Sequence, residues 1–182
     1  MQQRYPYVEV IIVNDASTDN SSMIVDSYRN RFKNRGYRFI KIDHLVNKGQ
    51  AAAINTALPL FNGEYLMWPD SDDILDPDNI SDKVEFLEQN QQYDFVMAQG
   101  EIVEENDLEN VKGVLKRTNN MGEDNLFIDF LNGENLYFAP VGFWVKRKAL
   151  LESIPNLKIY ESRSGQNWQF FNRYLTSSSA GI

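Results

Sequence analysis

A Rossmann-like α/β fold, with a mostly parallel sheet flanked by helices, is what this sequence predicts. Three observations carry that prediction: short apolar runs alternate with helix-spaced segments, polar or acidic residues stand at the carboxyl end of those runs, and β-branched residues fill the first run almost completely. Strands of a parallel sheet are buried on both faces and so read as near-continuous apolar stretches. Their carboxyl ends are where open α/β sheets hold ligands.

Residues 8–13, Val8-Glu9-Val10-Ile11-Ile12-Val13, read as a buried parallel strand that stops at Asn14-Asp15. Ser17-Thr18-Asp19 supplies N-cap candidates for a helix, since Met23, Ile24, Ser27, Tyr28 and Phe32 keep near-helical spacing until the break at 34–36. Residues 37–42 alternate as a second strand. Residues 49–58 are alanine-rich, poor in β-branching and closed by Pro59, which predicts a second helix. The third strand is placed at 64–68. Asp76-Pro77-Asp78 then offers a capping acid and an N1 proline for a helix through about Gln89, and a fourth strand follows at 93–98.

Beyond Gly100 the rhythm weakens. Residues 101–125 are polar and acidic and predict a lid-like loop with short strands, while helical spacing returns at 124–131 and 146–154. Between those two, residues 137–145 are aromatic and contain Pro140 and Gly142, which fits an edge strand or a ligand-facing loop.

A chain of 182 residues suits a single domain, and no repeat or low-complexity linker divides it. Apolar content of 42% with mixed charge excludes a disordered class, and no apolar run reaches the ~20 residues that span a bilayer. The first residues lack a secretory segment, so a cytoplasmic location is the default. Zero cysteines exclude disulfides, zinc-thiolate sites and thiol nucleophiles. A net charge of -8 argues against nucleic acid as a partner, because affinity for phosphate backbones comes from lysine and arginine. A nucleotide remains compatible when a divalent cation screens its phosphates.

Three polar motifs stand at strand ends: Asn14-Asp15-Ala16-Ser17, Asn47-Lys48-Gly49-Gln50 and Asp70-Ser71-Asp72-Asp73. In a doubly wound sheet such ends converge on one edge, where together they could hold one nucleotide. Asp15 alone fits a helix cap or turn equally well, and Asn47 with Gly49 fits a plain turn, although a glycine there also admits a phosphate close to backbone amides. The acid cluster is costly as packing, since neighbouring carboxylates repel unless a cation offsets them. A calcium loop of EF-hand type fails, because Ile74 and Leu75 fall where an oxygen ligand and a glycine are needed. Two acids plus substrate phosphates is the usual way magnesium or manganese is held. His44, the only histidine, stands beside Asp43 and reads as structural more readily than as a base. Trp68, Trp144, Trp168, Tyr137 and Phe143 could line a sugar site, but most read as core.

The runs from Val10 to Asp19, from Asn47 to Asn55 and from Gly63 to Asp73, in that order and spacing, resemble the bacterial family 2 glycosyltransferases of GT-A fold. The resemblance is specific from residue 8 to about 80 and thins beyond Gly100. It implies transfer of a sugar, with inversion, from a nucleoside-diphosphate donor, most readily a UDP-sugar, to the hydroxyl of a saccharide or lipid-linked acceptor. Bacterial surface polysaccharide or glycoconjugate would be the product. In its terms residues 1–100 form the nucleotide-sugar-binding part and 101–182 the acceptor-side part. Asp15 corresponds to the acid on the nucleotide base, Asp70 to the acid near the ribose and Asp72 to the metal ligand, with Mn2+ or Mg2+ as cofactor. Ser17, Asn47, Gly49, Gln50 and Ser71 complete the expected donor site. Peripheral association with the inner face of a membrane is a further expectation.

Two departures from the family pattern carry their own expectations. The base is usually the Asp of a Glu-Asp pair opening a late helix, whereas this chain has Gln166 and Asn167 there, and an amide accepts no proton near neutral pH. Glu161, or an acid from 123–134, is expected to take that role. The family's usual first strand and helix are also missing before Tyr5-Pro6, so the chain is expected to be a truncated version. Its sheet would then have a gap between the strands at 8–13 and 64–68, with poor stability or self-association through unpaired edges. The rival readings are a noncatalytic nucleotide-sugar-binding remnant and, more remotely, a nucleotidyltransferase of related topology.

Overall fold

The computed structural model describes residues 3–116, 140–162, 165, 169 and 180–181. Strand β1 (Glu9–Asn14) and strand β2 (Arg38–Asp43) pair in parallel with Glu9 opposite Arg38 and Asn14 opposite Asp43. Between them lie α1 (Ser21–Ser27) and α2 (Arg29–Asn34). One helix was expected here, and its interruption has a local cause. The Ser27 hydroxyl donates to the Ile24 carbonyl at 2.6 Å, the acceptor that Tyr28 N–H would use in an unbroken helix, and Tyr28 N–H turns instead to Val25 O at 3.1 Å.

Helix α3 (Gln50–Ala57) follows β2 and ends in a short 3₁₀ turn at Leu58–Leu60. Strand β3 (Tyr65–Leu66) is shorter than the expected 64–68, although side chains still alternate through Trp68, with Leu66 and Trp68 facing one apolar cluster and Tyr65 and Met67 the other. Helix α4 (Asn79–Gln89) begins two residues past Pro77, so the proline does not occupy its first turn. Asp78 pairs with Arg4 and makes no side-chain cap.

Strands β4 (Phe95–Met97), β5 (Gly100–Ile102) and β6 (Gly113–Leu115) come next, then β7 (Phe143–Lys146), α5 (Arg147–Ser153) and β8 (Ala180–Gly181). The antiparallel β5–β6 pair accounts for the short strands expected in the polar excursion. The second sheet has the order β3-β7-β4-β8, in which β7 runs antiparallel to both neighbours and β8 runs parallel to β4. Parallel pairing therefore holds for β1–β2 and β4–β8, while the centre of the second sheet is antiparallel.

Neither alternative held open for 137–145 describes its end. Residues 143–146 form an interior strand, because Phe143, Trp144 and Val145 are all buried, and the 3₁₀ turn at Pro140–Gly142 keeps the proline outside the ladder. Gly142 is required at that approach: a Cβ there would stand 2.6 Å from the Ala98 carbonyl oxygen.

The alternation along β4 and β7 builds two apolar layers. Phe95, Phe143 and Val145 face Ala51 and Leu58 of the α3 region and Ala149 and Leu150 of α5, while Val96 and Trp144 face Ile80 and Leu87 of α4. Helices thus cover both faces of the sheet. Phe143 and Trp144 are core, and Trp68 packs edge-on to Phe143 at 5.8 Å, so these aromatics serve packing. Among the described residues no helix is long and apolar enough to cross a membrane.

Candidate active site

The parallel register of β1 and β2 places Asn14 opposite Asp43, and therefore brings Asp15 and His44, each one residue further on, side by side. The Asn14 carboxamide donates to Asp43 Oδ1 at 2.8 Å and accepts from Ser17 N–H at 3.1 Å, closing a turn over 14–17. Ala16 adopts φ of 58°, a left-handed conformation that folds the chain back across the strand end.

Asp15 is the hub. Its carboxylate accepts from His44 Nδ1 at 2.7 Å, from Lys48 N–H at 3.0 Å and from Gly49 N–H at 2.6 Å, and its carbonyl accepts from Asn47 Nδ2 at 3.1 Å. Burial pushes the carboxyl upward, but the His44 bond and the two peptide N–H bonds together hold it below the usual range. Gly49, with φ of 88°, is the residue before α3, and the space where its side chain would stand is open. Only glycine takes this turn without strain.

The acid cluster joins through the first residue of α3: Gln50 Nε2 donates to Asp70 Oδ1 at 3.2 Å. Asp70 N–H reaches Asp73 Oδ2 and Asp73 N–H reaches Asp70 O, each at 3.2 Å, so the four residues form one tight turn. Burial first, then the charges of Asp73 and Asp72, pushes the Asp70 carboxyl up. Ser17, Ser71, Asp72 and Asp73 are exposed. Asp15, Asn47, Gly49, Gln50 and Asp70 are thus brought together, with Ser17, Ser71 and Asp72 on the same loops.

Among the described residues no three Asp, Glu or His side chains converge as a closed metal cage. The donor set nonetheless suits a hard divalent ion held largely by its substrate. Such ions take one or two carboxylates and keep open positions, and the turn offers the carboxylates of Asp70 and of the exposed Asp72.

Glu161 lies elsewhere. It borders a cleft of about 320 Å³ between the outer face of α3 and residues 156–161, a cleft that Lys48, Asn55, Thr56 and Lys158 also line. Its Oε1 accepts from Asn55 Nδ2 at 3.1 Å and stands 3.9 Å from Lys158 Nζ. Lys48 is the shared border, since its backbone binds Asp15 while the residue lines the Glu161 cleft. Gln166, Asn167 and residues 123–134 lie outside the described residues.

Two contacts escaped the sequence reading. His44 contacts Asp15 and not the adjacent Asp43, which only the register of two strands distant in sequence reveals. Asn55 holds Ile159 by both of its peptide groups, donating to its carbonyl at 2.9 Å and accepting its N–H at 2.8 Å. Nothing local in the alanine-rich helix signals that contact.

Known proteins resemble this chain in sequence and in fold. Residues 1–154 match the sequence profile described as "Glycosyl transferase family 2". Over 74 residues the chain is 36% identical to the poly-beta-1,6-N-acetyl-D-glucosamine synthase of Staphylococcus epidermidis, covering 41% of this chain and 17% of that protein. Over 76 residues it is 41% identical to the glycosyltransferase GlyG of Streptococcus pneumoniae, covering 41% of this chain and 24% of that one. The chain therefore spans less than a third of these relatives. Among solved structures, S. aureus TarS superposes with a TM-score of 0.60 at 21% identity over 95% of this chain and 48% of that one. The mannosyltransferase PcManGT from Pyrobaculum calidifontis, solved with GDP-Man and Mn2+, superposes at 0.58 and 21% identity over 91% of this chain and 44% of that one. A GT-A fold with three strand-end motifs tied into one turn system, and a family match over most of the sequence, lead to one assignment: the chain belongs to glycosyl transferase family 2.

Proposed function

We propose that this chain carries the nucleotide-sugar site of a metal-dependent glycosyltransferase that transfers a sugar, with inversion, to an acceptor hydroxyl in bacterial surface polysaccharide or glycoconjugate synthesis. The observation that carries the reading is the hydrogen-bonded link between motifs: Asp15 to Lys48 and Gly49, and Gln50 to Asp70. It joins the acids of two strand ends to the glycine turn between them, at the carboxyl edge of the strands where open α/β folds hold ligands.

Asp15 and Asn47 border the base, Asp70 and Ser71 the ribose, and Ser17, Gly49 and Gln50 the remainder of the donor. Asp72, exposed on its turn, would hold Mn2+ or Mg2+, with Asp70 on the same turn. The solved PcManGT complex with GDP-Man and Mn2+ supports a divalent ion and a nucleotide sugar for this fold. A bound divalent ion supplies positive charge to the leaving diphosphate. The acceptor oxygen attacks the anomeric carbon as the bond to the diphosphate breaks, and its proton passes to a carboxylate, for which Glu161, in the neighbouring cleft that Lys48 also borders, is the candidate. Residues 101–182 supply the acceptor side.

The test is calorimetric titration of UDP with and without Mn2+, followed by donor hydrolysis across UDP-, GDP- and dTDP-sugars. Asp72→Asn is expected to abolish the Mn2+-dependent part of binding, and Glu161→Gln to lower turnover at least tenfold with UDP affinity intact. Failure of every nucleotide to bind in the presence of Mn2+ would overturn the proposal. A second reading, a binding remnant without catalysis, is favoured by the amides at 166 and 167. Nucleotide binding without release of UDP from any donor would select it.

A further inference from the structure

His44 belongs to none of the three motifs, yet its imidazole is only 6% exposed and ties two of them to the body of α3. Nδ1 lies 2.7 Å from Asp15 Oδ1, and because a carboxylate only accepts, Nδ1 carries a hydrogen. Nε2 lies 2.9 Å from Thr56 Oγ1, two turns along α3 from Gly49; the same hydroxyl stands 2.9 Å from the Ala52 carbonyl, and on a ring whose Nε2 bears no hydrogen its single hydrogen serves Nε2. The neighbouring Asp43 does not compete for the ring, being occupied by Asn14, Ser22 and Lys41. The contacts close a ring: from the end of β1 through Asp15 to the peptide N–H groups of Lys48 and Gly49, along α3 to Thr56, and back through the imidazole.

We propose that His44 is a positioning residue of the donor site. It holds the Asp15 carboxylate in the orientation that accepts Lys48 N–H and Gly49 N–H, so the glycine turn is formed before nucleotide arrives. A carboxylate at a strand end is otherwise free to rotate, and the turn it organises would have to be ordered at the expense of binding energy. The role rests on the reading of this edge as a nucleotide-sugar site, and His44 itself touches no ligand.

One experiment separates the two claims. In the ligand-free full chain, His44→Leu removes both ring nitrogens at similar volume, Thr56→Val removes the far anchor while leaving Asp15 untouched, and His44→Asn keeps an N–H donor close to the position of Nδ1. Amide hydrogen exchange at Lys48 and Gly49 is expected to accelerate about tenfold or more in His44→Leu, less in Thr56→Val, and to return near wild type in His44→Asn. UDP affinity with Mn2+ is expected to follow the same order, with a similar tenfold loss for His44→Leu. A merely structural histidine would lower the melting temperature and leave the affinity of the folded fraction unchanged. Unchanged exchange at Lys48 and Gly49 in folded His44→Leu or Thr56→Val, or losses that His44→Asn does not recover, would overturn the positioning role. Accelerated exchange in a protein whose wild type binds no nucleotide would confirm the strut and overturn the donor-site reading instead.

Discussion

At the scale of the residue, the site is governed by where hydrogens can go. Asp15 gathers three N–H donors from beyond the β2 end, the His44 imidazole and the Lys48 and Gly49 peptides, after which the left-handed Ala16 folds the chain back across the strand end. Burial opposes ionisation there and the three donors outweigh it, so the carboxyl is held low. The sign of the consequence follows from linkage. A carboxylate with a depressed folded value stabilises the fold above its unfolded value, near 3.8, and that contribution vanishes as pH falls through the lower folded one. Urea unfolding from about pH 6 to pH 2.5 is expected to show a steeper loss of stability in wild type than in Asp15→Asn, which keeps the lowered carboxyls of Asp19, Asp26 and Asp43 but not that of Asp15. Asp15→Asn is expected to be the less stable protein at neutral pH, since one amide oxygen cannot replace two carboxylate oxygens. Parallel curves for the two proteins would mean that Asp15 ionises as a free side chain.

At the scale of the element, what the sequence made legible was local. The β-branched run of β1, the alanine-rich α3 and the alternation through 65–68 announce themselves by composition and period, and the glycine turn at Gly49 was visible as a turn. What stayed hidden turned on which partner a group captures, near in the chain for Ser27 and far along it for the strands and for Asn55. The break between α1 and α2 depends on which carbonyl the Ser27 hydroxyl captures, and the antiparallel direction of β7 depends on β3 and β4, which flank it. The clamp of Asn55 on Ile159, across 104 residues, is of the same kind. It makes α3 the element that joins the Asp15 edge to the Glu161 cleft. Asn55→Ala strips partners from both peptide groups of Ile159, whose side chain is buried, and is expected to cost about 1–3 kcal/mol in denaturant unfolding. It should also raise amide exchange at Ile159 without affecting Lys48 and Gly49. Exchange rising equally at both places would show that α3 as a whole had been disturbed and the clamp had no separate identity.

At the scale of the whole molecule, the two sheets pose a question of edges. β1 pairs only with β2, and β3 pairs only with β7, so among the described residues each has one side without a strand partner. In a parallel ladder successive residues point their peptide groups to opposite sides, which leaves alternate N–H and C=O groups of the six-residue β1 unused by β2. Such a row is a template for another strand, and natural sheets guard it with proline, charge or a bulge. β1 has one charged residue, Glu9, whose carboxylate is already engaged by Arg38 and by the Asn62 N–H, and its remaining members up to Asn14 are all apolar. The edge therefore carries little to repel a copy of itself. Sedimentation velocity over a hundredfold range of concentration is expected to show growing association, and amide exchange of alternate β1 residues should slow as the oligomer forms. Adding UDP with Mn2+ should leave that association unchanged, since the Asp15 motif lies beyond the strand's carboxyl end. A monodisperse species at every concentration, unfolding cooperatively, would show instead that side chains or other parts of the chain already satisfy the β1 edge.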